Sequence, residues 1–328
     1  MTNPFPLVTI IIPTYNRAEL VVHAVESALN QTYPNKEIVV VDDGSTDGTR
    51  EVIAAFQEVT YIWKKNGRQA SARNTGLVVS RGKYITTLDS DDVWQPDFLE
   101  ESINKMEADQ LDFVFSNWES TNAKGERYSE MANKKSLYSY FHEAPHTENN
   151  WVTLPYSDLR RLFLNGCLAP SSALVFRKSS LVAPWNESIR VADDWEFQIG
   201  LIVSKPLKVA FNKDIKWTKN TVGDNVFESL DYSQMVDIVM IRDLNLILSL
   251  HQDKYTEAEK TQIIHTQASY CFWSAYFQLK RGNVFKVVQL LMYSYRLDSS
   301  ITREKLFRVY NLIFLYRSLK RGLKRLWK

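Results

Sequence analysis

Three aspartates fall within four positions of the chain, at Asp89, Asp91 and Asp92 in the stretch TTLDSDDVWQPD. The residues before them, KYITTL, are rich in β-branched and aromatic types and predict a strand. The aspartates therefore follow the carboxyl end of that strand, which is the edge where open α/β sheets bind ligands. Because like charges this close repel one another, the cluster needs a balancing partner, and we expect a ligand site here.

Two further motifs follow predicted strands in the same way. The first strand ends in PTYNR, residues 13–17, and the second ends in DDGSTDGT, residues 42–49. Turn chemistry alone accounts for either motif, since Pro and Asn interrupt strands while Asp, Gly and Ser form turns and cap helices. Their common position at one edge of one predicted sheet favours a functional interpretation.

The elements that carry these motifs alternate between strand and helix. Strands are predicted in LVTIIIP, EIVVVDD, VTYIWKK and KYITTL, the first two of them buried. Helices are predicted between them, and this order is typical of a parallel, doubly wound sheet. Two more strands are predicted in LDFVFSNW and SSALVFRK, separated by a long polar segment at about 119–156. After about Trp217 the pattern is helical only, with a turn at Gly282-Asn283, and we place a domain boundary near 220.

Composition limits the class of protein. The 328 residues are 45% hydrophobic and 24% charged, as in an ordinary globular protein. No apolar run approaches the ~18 residues of a membrane span. Two cysteines, Cys167 and Cys271, are too few for a disulfide framework, so we expect a reducing, cytoplasmic location.

Positive charge is concentrated at the C-terminal end of the sequence. The net charge is +2, and six of the last twelve residues are basic, so the chain without those six would carry −4. This asymmetry argues against a general nucleic-acid-binding surface. The segment 306–328 also has an apolar stripe, and such a basic amphipathic helix can lie on an anionic membrane surface. A terminal helix packed on its own domain, or a contact in a homo-oligomer, accounts for the same pattern.

Together the motifs resemble family 2 glycosyltransferases, which have the GT-A fold. The resemblance runs almost continuously from about Leu7 to Leu99, through VTIIIPTYNRAELVV, DDGSTDGT, NGRQASARNTGL and YITTLDSDDVWQPDFLE in that order. A weaker resemblance resumes in GCLAPSSALVFRKSSL and VADDWEFQIGL.

The resemblance implies an α/β fold with a Rossmann-like, mostly parallel sheet flanked by helices. This GT-A domain would occupy 1–220, with a nucleotide-sugar-binding half at 1–100 and an acceptor half at 101–220. The remainder, 221–328, would be a helical region that ends in the basic amphipathic helix.

By this resemblance the first two loops bind the nucleoside of a sugar nucleotide. The first loop contacts the base and ribose through Pro13, Thr14 and Tyr15. At the end of the second strand, Asp43 accepts a hydrogen bond from uracil N3–H, while Asp42 supports the turn. A carboxylate acceptor selects a ring N–H, so it favours uracil or thymine over cytosine.

Two other segments would reach the phosphates and the sugar. Asn66 and Arg73, in NGRQASARN, match residues that contact the nucleotide, and Arg73 suits the diphosphate. In DSDD, Asp89 would meet ribose or sugar hydroxyls, and Ser90 belongs to the same nucleotide-sugar site. The structural alternatives are a turn at Asn66-Gly67 and a solvated helix face for Arg73.

The resemblance also implies a metal and a base. Asp91 would bind a divalent cation, Mn²⁺ or Mg²⁺, that bridges both phosphates, and Asp92 would support Asp91 or share the metal. The acceptor hydroxyl loses its proton as it attacks the anomeric carbon, and Asp194 in DDWEF is the implied base, with Asp193 where Glu is commoner. Asp is also favoured in the first turn of a helix, so DDWEF can equally be a helix start.

We therefore expect an inverting, metal-dependent glycosyltransferase that moves a hexose or N-acetylhexosamine from a UDP-sugar, or a dTDP-sugar, to a hydroxyl of a glycan or lipid-linked acceptor. The family and the basic tail favour bacterial surface polysaccharide synthesis at the inner face of the cell membrane.

Two alternatives stay open. LDSDDV fits the motif of haloacid-dehalogenase-like phosphohydrolases, which would use Asp89 as nucleophile together with Asp91. In those proteins the motif normally ends the first strand, whereas three strand–helix units precede it here. The other alternative is a non-catalytic glycan-binding protein of the same fold.

Overall fold

The computed structural model describes residues 5–121, 126–129, 140–141, 150–220 and 230–309. The chain divides into two compact units, Met1–Ser229 and Leu230–Lys328, and each is described by itself.

The first unit is built on a ten-stranded sheet. Its strands are β1 (Val8–Thr14), β2 (Lys36–Asp42), β3 (Val59–Trp63), β4 (Tyr84–Thr87), β5 (Asp92–Trp94), β6 (Phe113–Thr121), β7 (Arg127–Ser129), β8 (Trp151–Leu154), β9 (Leu174–Arg177) and β10 (Val209–Lys219). The spatial order is β3-β2-β1-β4-β9-β6-β10-β5, with β7 paired to β6 and β8 to β10.

Helices cover this sheet. They are α1 (Ala18–Leu29), α2 (Thr49–Ile53), α3 (Arg68–Val79), α4 (Phe98–Ala108), α5 (Tyr156–Phe163) and α6 (Asp193–Ser204), with 3₁₀ turns at Ser171–Ala173 and Lys178–Ser180. The predicted strand–helix alternation is confirmed from β1 to β4. α2 is short and ends at Ile53, after which the amides of Ala55 and Phe56 donate to carbonyls three residues back and tighten the last turn.

β1 shows why the first strand is a continuous apolar run. All seven of its residues are buried. Ile10 and Ile12 join the hydrophobic core on one face of the sheet, and Ile11 joins the core on the other. Since successive side chains of a strand point to opposite faces, a strand covered by helices on both sides needs apolar residues at every position.

The sheet is mixed rather than parallel throughout. β1, β2, β3 and β4 run parallel to one another, and β10 runs parallel to β6. β9 is antiparallel to both β4 and β6. The chain enters β9 from the turn at Ser171–Ala173, which lies at the carboxyl end of β4, where Thr87 Oγ1 donates to the Ser171 carbonyl at 3.1 Å. β9 therefore runs back from the edge of the sheet that carries Asp89, Asp91 and Asp92, which we call the aspartate turn.

The second unit is helical throughout its described residues, 230–309. α7 (Tyr232–Met235) continues through a π-helix (Val236–Asp243) into α8 (Leu244–Leu250), followed by α9 (Glu257–Lys280), α10 (Val284–Leu297) and a helix over 299–309. The predicted turn joins α9 to α10: Gly282 has φ +76°, and the Asn283 side chain caps α10 by accepting from the Lys286 amide. Within the described part of the chain, no helix is both long and apolar enough to cross a membrane.

Two predicted segments lie wholly or partly outside the described residues. The basic amphipathic helix of 306–328 is described only to position 309, and the polar segment 119–156 only at 119–121, 126–129, 140–141 and 150–156.

Candidate active site

The loops after β1, β2 and β4 lie side by side at one edge of the sheet. β1 and β2 end in register, with Thr14 opposite Asp42. The Asp43 amide donates to the Thr14 carbonyl at 2.8 Å, and the Leu88 amide donates to the Ile11 carbonyl at 2.9 Å. Three of the motifs that sequence analysis singled out therefore share one edge, which is the usual ligand-binding edge of such sheets.

Asp42 stabilises the turn after β2. Its Oδ1 accepts from the Ser45 amide at 2.7 Å, and its Oδ2 accepts from the Tyr61 hydroxyl at 2.6 Å. The next residue but one, Gly44, has φ +89°, and a Cβ there would lie 3.0 Å from the Asn66 amide nitrogen. Only glycine combines that conformation with so close an approach, which brings the Asn66 loop beside Asp43.

Asp43 is buried, with 4% of its side chain exposed. Its Oδ1 accepts from Lys64 Nζ at 2.7 Å, and its Oδ2 accepts from the Arg68 amide at 2.6 Å; the Gly67 amide lies within reach of both oxygens. The predicted hydrogen bond from a uracil N3–H would therefore share this carboxylate with three protein donors.

The other predicted nucleoside contacts divide into buried and exposed residues. Pro13 and Thr14 are buried at the end of β1, whereas Tyr15 and Asn66 are exposed. Thr14 Oγ1 is buried and has no hydrogen-bond partner among the described residues. A buried hydroxyl without a partner is costly, so this one is available to a ligand.

In the aspartate turn each carboxylate has a different hydrogen-bond partner, which offsets the repulsion among the three acids. Asp89 Oδ1 accepts from Arg73 Nη2 at 2.8 Å and keeps 33% of its side chain exposed. Asp91 Oδ2 accepts from the Arg17 guanidinium. Two arginines from different elements thus neutralise two of the three acids.

Asp92 is held by a serine instead. Its Oδ2 accepts from the Ser172 hydroxyl at 2.6 Å, while its buried Oδ1 has no partner among the described residues. The Ser172 Oγ in turn accepts from the Asp89 amide at 3.1 Å. Ser90, between the acids, is buried. The APSSA segment therefore supports the aspartate turn.

The turn remains rich in negative charge despite these partners. Burial, then the charge of Asp89, raises the pKa of Asp91, and Arg17 opposes the shift. Burial, then the charges of Asp91 and Asp89, raises the pKa of Asp92 well above its usual value. Both shifts mean that a further positive charge at this turn would be stabilised.

A hard divalent cation fits this chemistry. Mg²⁺ and Mn²⁺ prefer oxygen ligands and take one or two carboxylates together with phosphates and water. Asp91 already binds one cationic group, and Asp92 has an unpartnered oxygen. In the described part of the chain, no group of three or more Asp, Glu, His or Cys side chains is gathered into a metal site.

Arg73 is the centre of a second cluster of acids. It is fully buried, and its guanidinium contacts three carboxylates at 2.8 Å each: those of Asp89, Asp193 and Asp194. The sequence predicts a diphosphate as its partner, with a solvated helix face as the alternative. Its burial excludes the solvated face, and its Nη1 and Nη2 atoms bind protein acids, while the contact with a diphosphate stays a prediction. These acids raise the pKa of Arg73 although burial lowers it, so the guanidinium stays charged.

Close packing of α3 on β1 places the Arg73 side chain among these three acids. Gly76 lies one turn after Arg73, and a Cβ at that position would come within 2.5 Å of Ile11 Cγ2. With Ala70 also buried, small residues allow the helix to approach the strand and carry the long Arg73 side chain toward the edge.

Asp193 and Asp194 begin α6, so the helix-start interpretation of DDWEF is also met. Asp193 is buried, and its two oxygens accept from Gln69 Nε2 at 2.6 Å and Arg73 Nη1 at 2.8 Å. Burial and the charge of Asp194 raise the pKa of Asp193 to about 7. Asp194 keeps 20% of its side chain exposed, and burial raises its pKa against the opposing effect of Arg73.

Sequence analysis missed four residues that hold these acids in place: Arg17, Lys64, Gln69 and Ser172. Gln69 had a usable signal, because it lies four residues before Arg73 and so shares its helix face. Arg17 is the last residue of the first motif, PTYNR. The contacts of Lys64 and Ser172 depend on loop geometry, which spacing does not record.

Comparison with known proteins identifies related sequences. The family model described as "Glycosyl transferase family 2" matches residues 9–180. TuaG of Bacillus subtilis (strain 168), assigned by its name to teichuronic acid biosynthesis, is 34% identical over 174 residues, which are 51% of this chain and 62% of TuaG. WfaP of Escherichia coli, named as a UDP-Glc:alpha-D-GlcNAc-diphosphoundecaprenol beta-1,3-glucosyltransferase, is 42% identical over 115 residues, which are 34% of this chain and 46% of WfaP. The matches thus span less than two thirds of either relative.

Solved structures share the fold. The crystal structure of S. aureus TarS 1-349 in complex with UDP-GlcNAc has a TM-score of 0.59 at 18% identity, covering 92% of this chain and 91% of that one. The mannosyltransferase PcManGT from Pyrobaculum calidifontis, in complex with GDP-Man and Mn²⁺, has a TM-score of 0.57 at 18% identity, covering 96% and 83%. These similarities confirm the predicted fold class.

Proposed function

The chain belongs to glycosyltransferase family 2, and we propose that it transfers a sugar, with inversion, from a UDP-sugar to a hydroxyl of a glycan or lipid-linked acceptor. The observation that carries the proposal is the single buried guanidinium of Arg73, which joins Asp89 to Asp193 and Asp194. One of these acids comes from the donor half and two from the acceptor half, so the two halves meet at one point. Displacement at an anomeric carbon needs both sides within reach of each other.

Asp194 is the proposed base. An inverting displacement requires a group that accepts the proton of the acceptor hydroxyl as this oxygen attacks. Asp194 keeps 20% of its side chain exposed although Arg73 and Ser171 both bind it, whereas Asp193 is buried with both oxygens engaged. Accessibility therefore separates the two acids in favour of Asp194, and Asp193 fixes the position of Arg73 and Gln69.

The nucleoside is proposed to bind at the ends of β1 and β2. Asp43 is the acceptor for the base N–H, Thr14 offers a buried unpartnered hydroxyl, and Tyr15 and Asn66 are exposed beside them. Pro13 and Asp42 shape these two loops from buried positions. A uracil or thymine base fits an acceptor that needs a ring N–H.

Asp91 and Asp92 are the proposed ligands of Mn²⁺ or Mg²⁺. When bound, such a cation stabilises the negative charge of the departing diphosphate. Asp89 and Ser90 stand next to these ligands and are proposed to contact sugar or ribose hydroxyls. The binding of Asp91 by Arg17 offsets part of the negative charge of the turn.

The printed names of the relatives support the choice of substrates. WfaP is named for a UDP-glucose donor and a diphosphoundecaprenol-linked acceptor, and TarS is solved with UDP-GlcNAc. A hexose or N-acetylhexosamine from a UDP-sugar is therefore the first donor class to test, with dTDP-sugars next. Together with the name of TuaG, the lipid-linked acceptor of WfaP favours synthesis of a bacterial surface polysaccharide, with the basic tail of 306–328 at the membrane surface.

A panel of sugar nucleotides tests the proposal. We expect the full chain to release UDP from one UDP-sugar slowly with Mn²⁺ and more slowly with EDTA, and to show a raised melting temperature with that donor, because a ligand of the folded state stabilises it. Hydrolysis of phosphomonoesters without sugar nucleotide binding would support the phosphohydrolase alternative. Binding of a glycan without turnover of any donor would support the non-catalytic alternative.

Arg73→Lys separates a positioning role from a diphosphate contact. Lysine keeps the charge but cannot bridge three carboxylates as a guanidinium does. We expect kcat to fall about 10–100-fold, because the base loses its fixed position. Donor affinity, measured by calorimetry, should stay within about threefold of wild type, since a factor of three is under 1 kcal/mol.

Arg177→Lys is the matched control. Arg177 is a second arginine, half-buried where Arg73 is fully buried, and it donates to the carbonyls of Leu111 and Met106 at the opposite end of β4 from Asp89. It should lower stability without lowering kcat. A large loss of donor affinity in Arg73→Lys with kcat retained would instead assign Arg73 to the diphosphate.

Asp43→Ala is expected to weaken the binding of uridine itself. Losing a hydrogen bond to a charged acceptor costs ~1.5–3 kcal/mol, so affinity should fall at least about tenfold. Asp47→Ala is the control, because Asp47 caps α2 in the same loop through Thr49. Calorimetry with uridine and with UDP checks the result; an effect on UDP alone would contradict a contact with the base.

A further inference from the structure

Exposed apolar side chains are concentrated in the helical unit. Of the eighteen large hydrophobic residues that are exposed in the described chain, ten fall between positions 270 and 307. They are Tyr270, Trp273, Leu279, Val284, Phe285, Val288, Met292, Tyr295, Leu306 and Phe307. Single exposed hydrophobic residues are ordinary, whereas a cluster of this kind marks an interaction surface.

α10 presents the most regular part of this cluster. Its exposed apolar side chains recur every three or four residues and so share one face, which we call the apolar face: Phe285, Val288, Met292 and Tyr295. The opposite side of the helix is buried against its own unit: Val287, Leu290 and Ser294. Phe285 is 82% exposed, far beyond what packing inside the unit would leave. α10 is therefore apolar on two sides, and among the described residues of its unit, 230–309, packing covers only one of them.

Basic side chains border the apolar face. Residues 270–309 include seven Lys and Arg but two Asp and Glu, a net charge of +5. Ion pairs of Arg281 with Asp231 and of Lys286 with Asp237 reduce this charge to +3. Several of these cations lie against aromatic rings: Arg303 Nη2 donates to the Tyr295 hydroxyl at 2.7 Å, and Lys305 Nζ is 5.3 Å from the centre of the Trp273 ring. Apolar and aromatic side chains interleaved with cations are typical of helices that lie in the headgroup region of a membrane.

The net positive charge of this surface also distinguishes between two possible binding partners, a second copy of the chain and a lipid membrane. In a symmetric contact between two copies, the same surface faces itself, so each net positive surface would meet another of the same sign. An anionic lipid surface instead attracts it, by about 1 kcal/mol for each cation near the membrane. We propose that the apolar face of α10, with its basic border, docks onto an anionic lipid surface. This surface is distinct from the basic tail beyond residue 309 and does not depend on the proposed transfer activity.

Flotation with lipid vesicles tests the proposal on the full chain. The probes are vesicles of phosphatidylcholine with phosphatidylglycerol, and vesicles of phosphatidylcholine alone. Wild type should float with the anionic vesicles and much less with the neutral ones. The double variant Phe285→Glu/Val288→Glu should float at least about tenfold less with anionic vesicles, because it removes apolar area and adds like charge. Val78→Glu, at an 84% exposed valine of α3, is the matched control and should behave as wild type.

Three results would overturn the proposal that the apolar face docks onto an anionic lipid surface. Equal flotation of wild type and the double variant would remove the apolar face from the contact. Loss of flotation when only the six basic residues of the tail are replaced by Gln would assign binding to the tail. A dimer in light scattering that the double variant abolishes, without vesicle binding by wild type, would make the apolar face a contact between copies. Melting temperatures of the double variant and of Val78→Glu should match wild type, since each of these substituted positions is exposed.

Discussion

Asp194→Asn should give a stable protein that binds donor normally and transfers sugar ~10²–10⁴-fold more slowly, the usual contribution of a positioned acid or base. Asn has nearly the volume of Asp and begins a helix equally well, so α6 should form as before. Its amide oxygen can still accept from Arg73 Nη1, which now lies 2.8 Å from the Asp194 carboxylate. What the amide cannot do is take up the proton of the acceptor hydroxyl. The measurements are kcat, donor affinity and melting temperature on the same preparation.

Asp193→Asn is the matched control for that result. Asp193 differs from Asp194 by being buried, with Gln69 and Arg73 bound to its two oxygens. The Asn variant should therefore lose stability and keep more of its kcat than Asp194→Asn does. If kcat of Asp194→Asn falls less than about tenfold, a loss of only ~1.4 kcal/mol in transition-state stabilisation, Asp194 is not the base. Asp193 and Glu196 would then be the next candidates.

Asp91→Asn should abolish Mn²⁺-dependent turnover and leave the fold intact. A neutral amide is a much weaker ligand for a hard cation than a carboxylate, so the metal-dependent part of UDP binding should fall with it. Calorimetry of UDP binding, with and without Mn²⁺, gives a readout that does not depend on turnover. Electron paramagnetic resonance of Mn²⁺ gives a second one.

Asp97→Asn controls for the loss of a carboxylate in the same stretch. Asp97 Oδ2 pairs with Lys216 Nζ at 2.9 Å, away from the aspartate turn. Its variant should keep both turnover and metal-dependent UDP binding. Unchanged metal-dependent affinity in Asp91→Asn would contradict the assignment of Asp91 as a ligand.

The parts of the fold that sequence analysis predicted are those with a local cause. The sequence of β1 is a continuous apolar run, which predicts a strand covered on both faces. In the structure both faces of β1 are buried in hydrophobic cores. The turn between α9 and α10 follows from Gly282 and Asn283 alone. The position of the first three motifs at one edge follows from parallel pairing, once each is known to end a strand.

Features with a distant cause were not predictable. Arg73 meets Asp193 and Asp194, which lie 120 and 121 residues further along the chain. No periodicity in α3 reports that contact, and a long cation in a helix ordinarily implies a solvated face. β9 presents the same difficulty: its apolar run predicts a strand, but its antiparallel direction follows from where the chain enters the sheet, at Ser171–Ala173.

The aspartate turn combines a feature with a local cause and a feature with a distant cause. Its position at the end of β4 is local and was predicted. The residues that stabilise its three acids come from other parts of the chain. Arg17 binds Asp91, Arg73 binds Asp89 and Ser172 binds Asp92. Each partner comes from a different segment of the chain, so the balance of charge exists only in the folded protein.

Titration of UDP into the full chain, with Mn²⁺ and separately with EDTA, tests the central claim most directly, because it asks whether the edge formed by Asp43 and Asp91 binds a uridine diphosphate through a cation. We expect UDP to bind at least about tenfold more tightly with Mn²⁺ than with EDTA, and at least about tenfold more tightly than GDP or CDP under the same conditions, a difference of ~1.4 kcal/mol or more in each case. No binding of UDP in either buffer, or equal binding of UDP and GDP, would contradict the account.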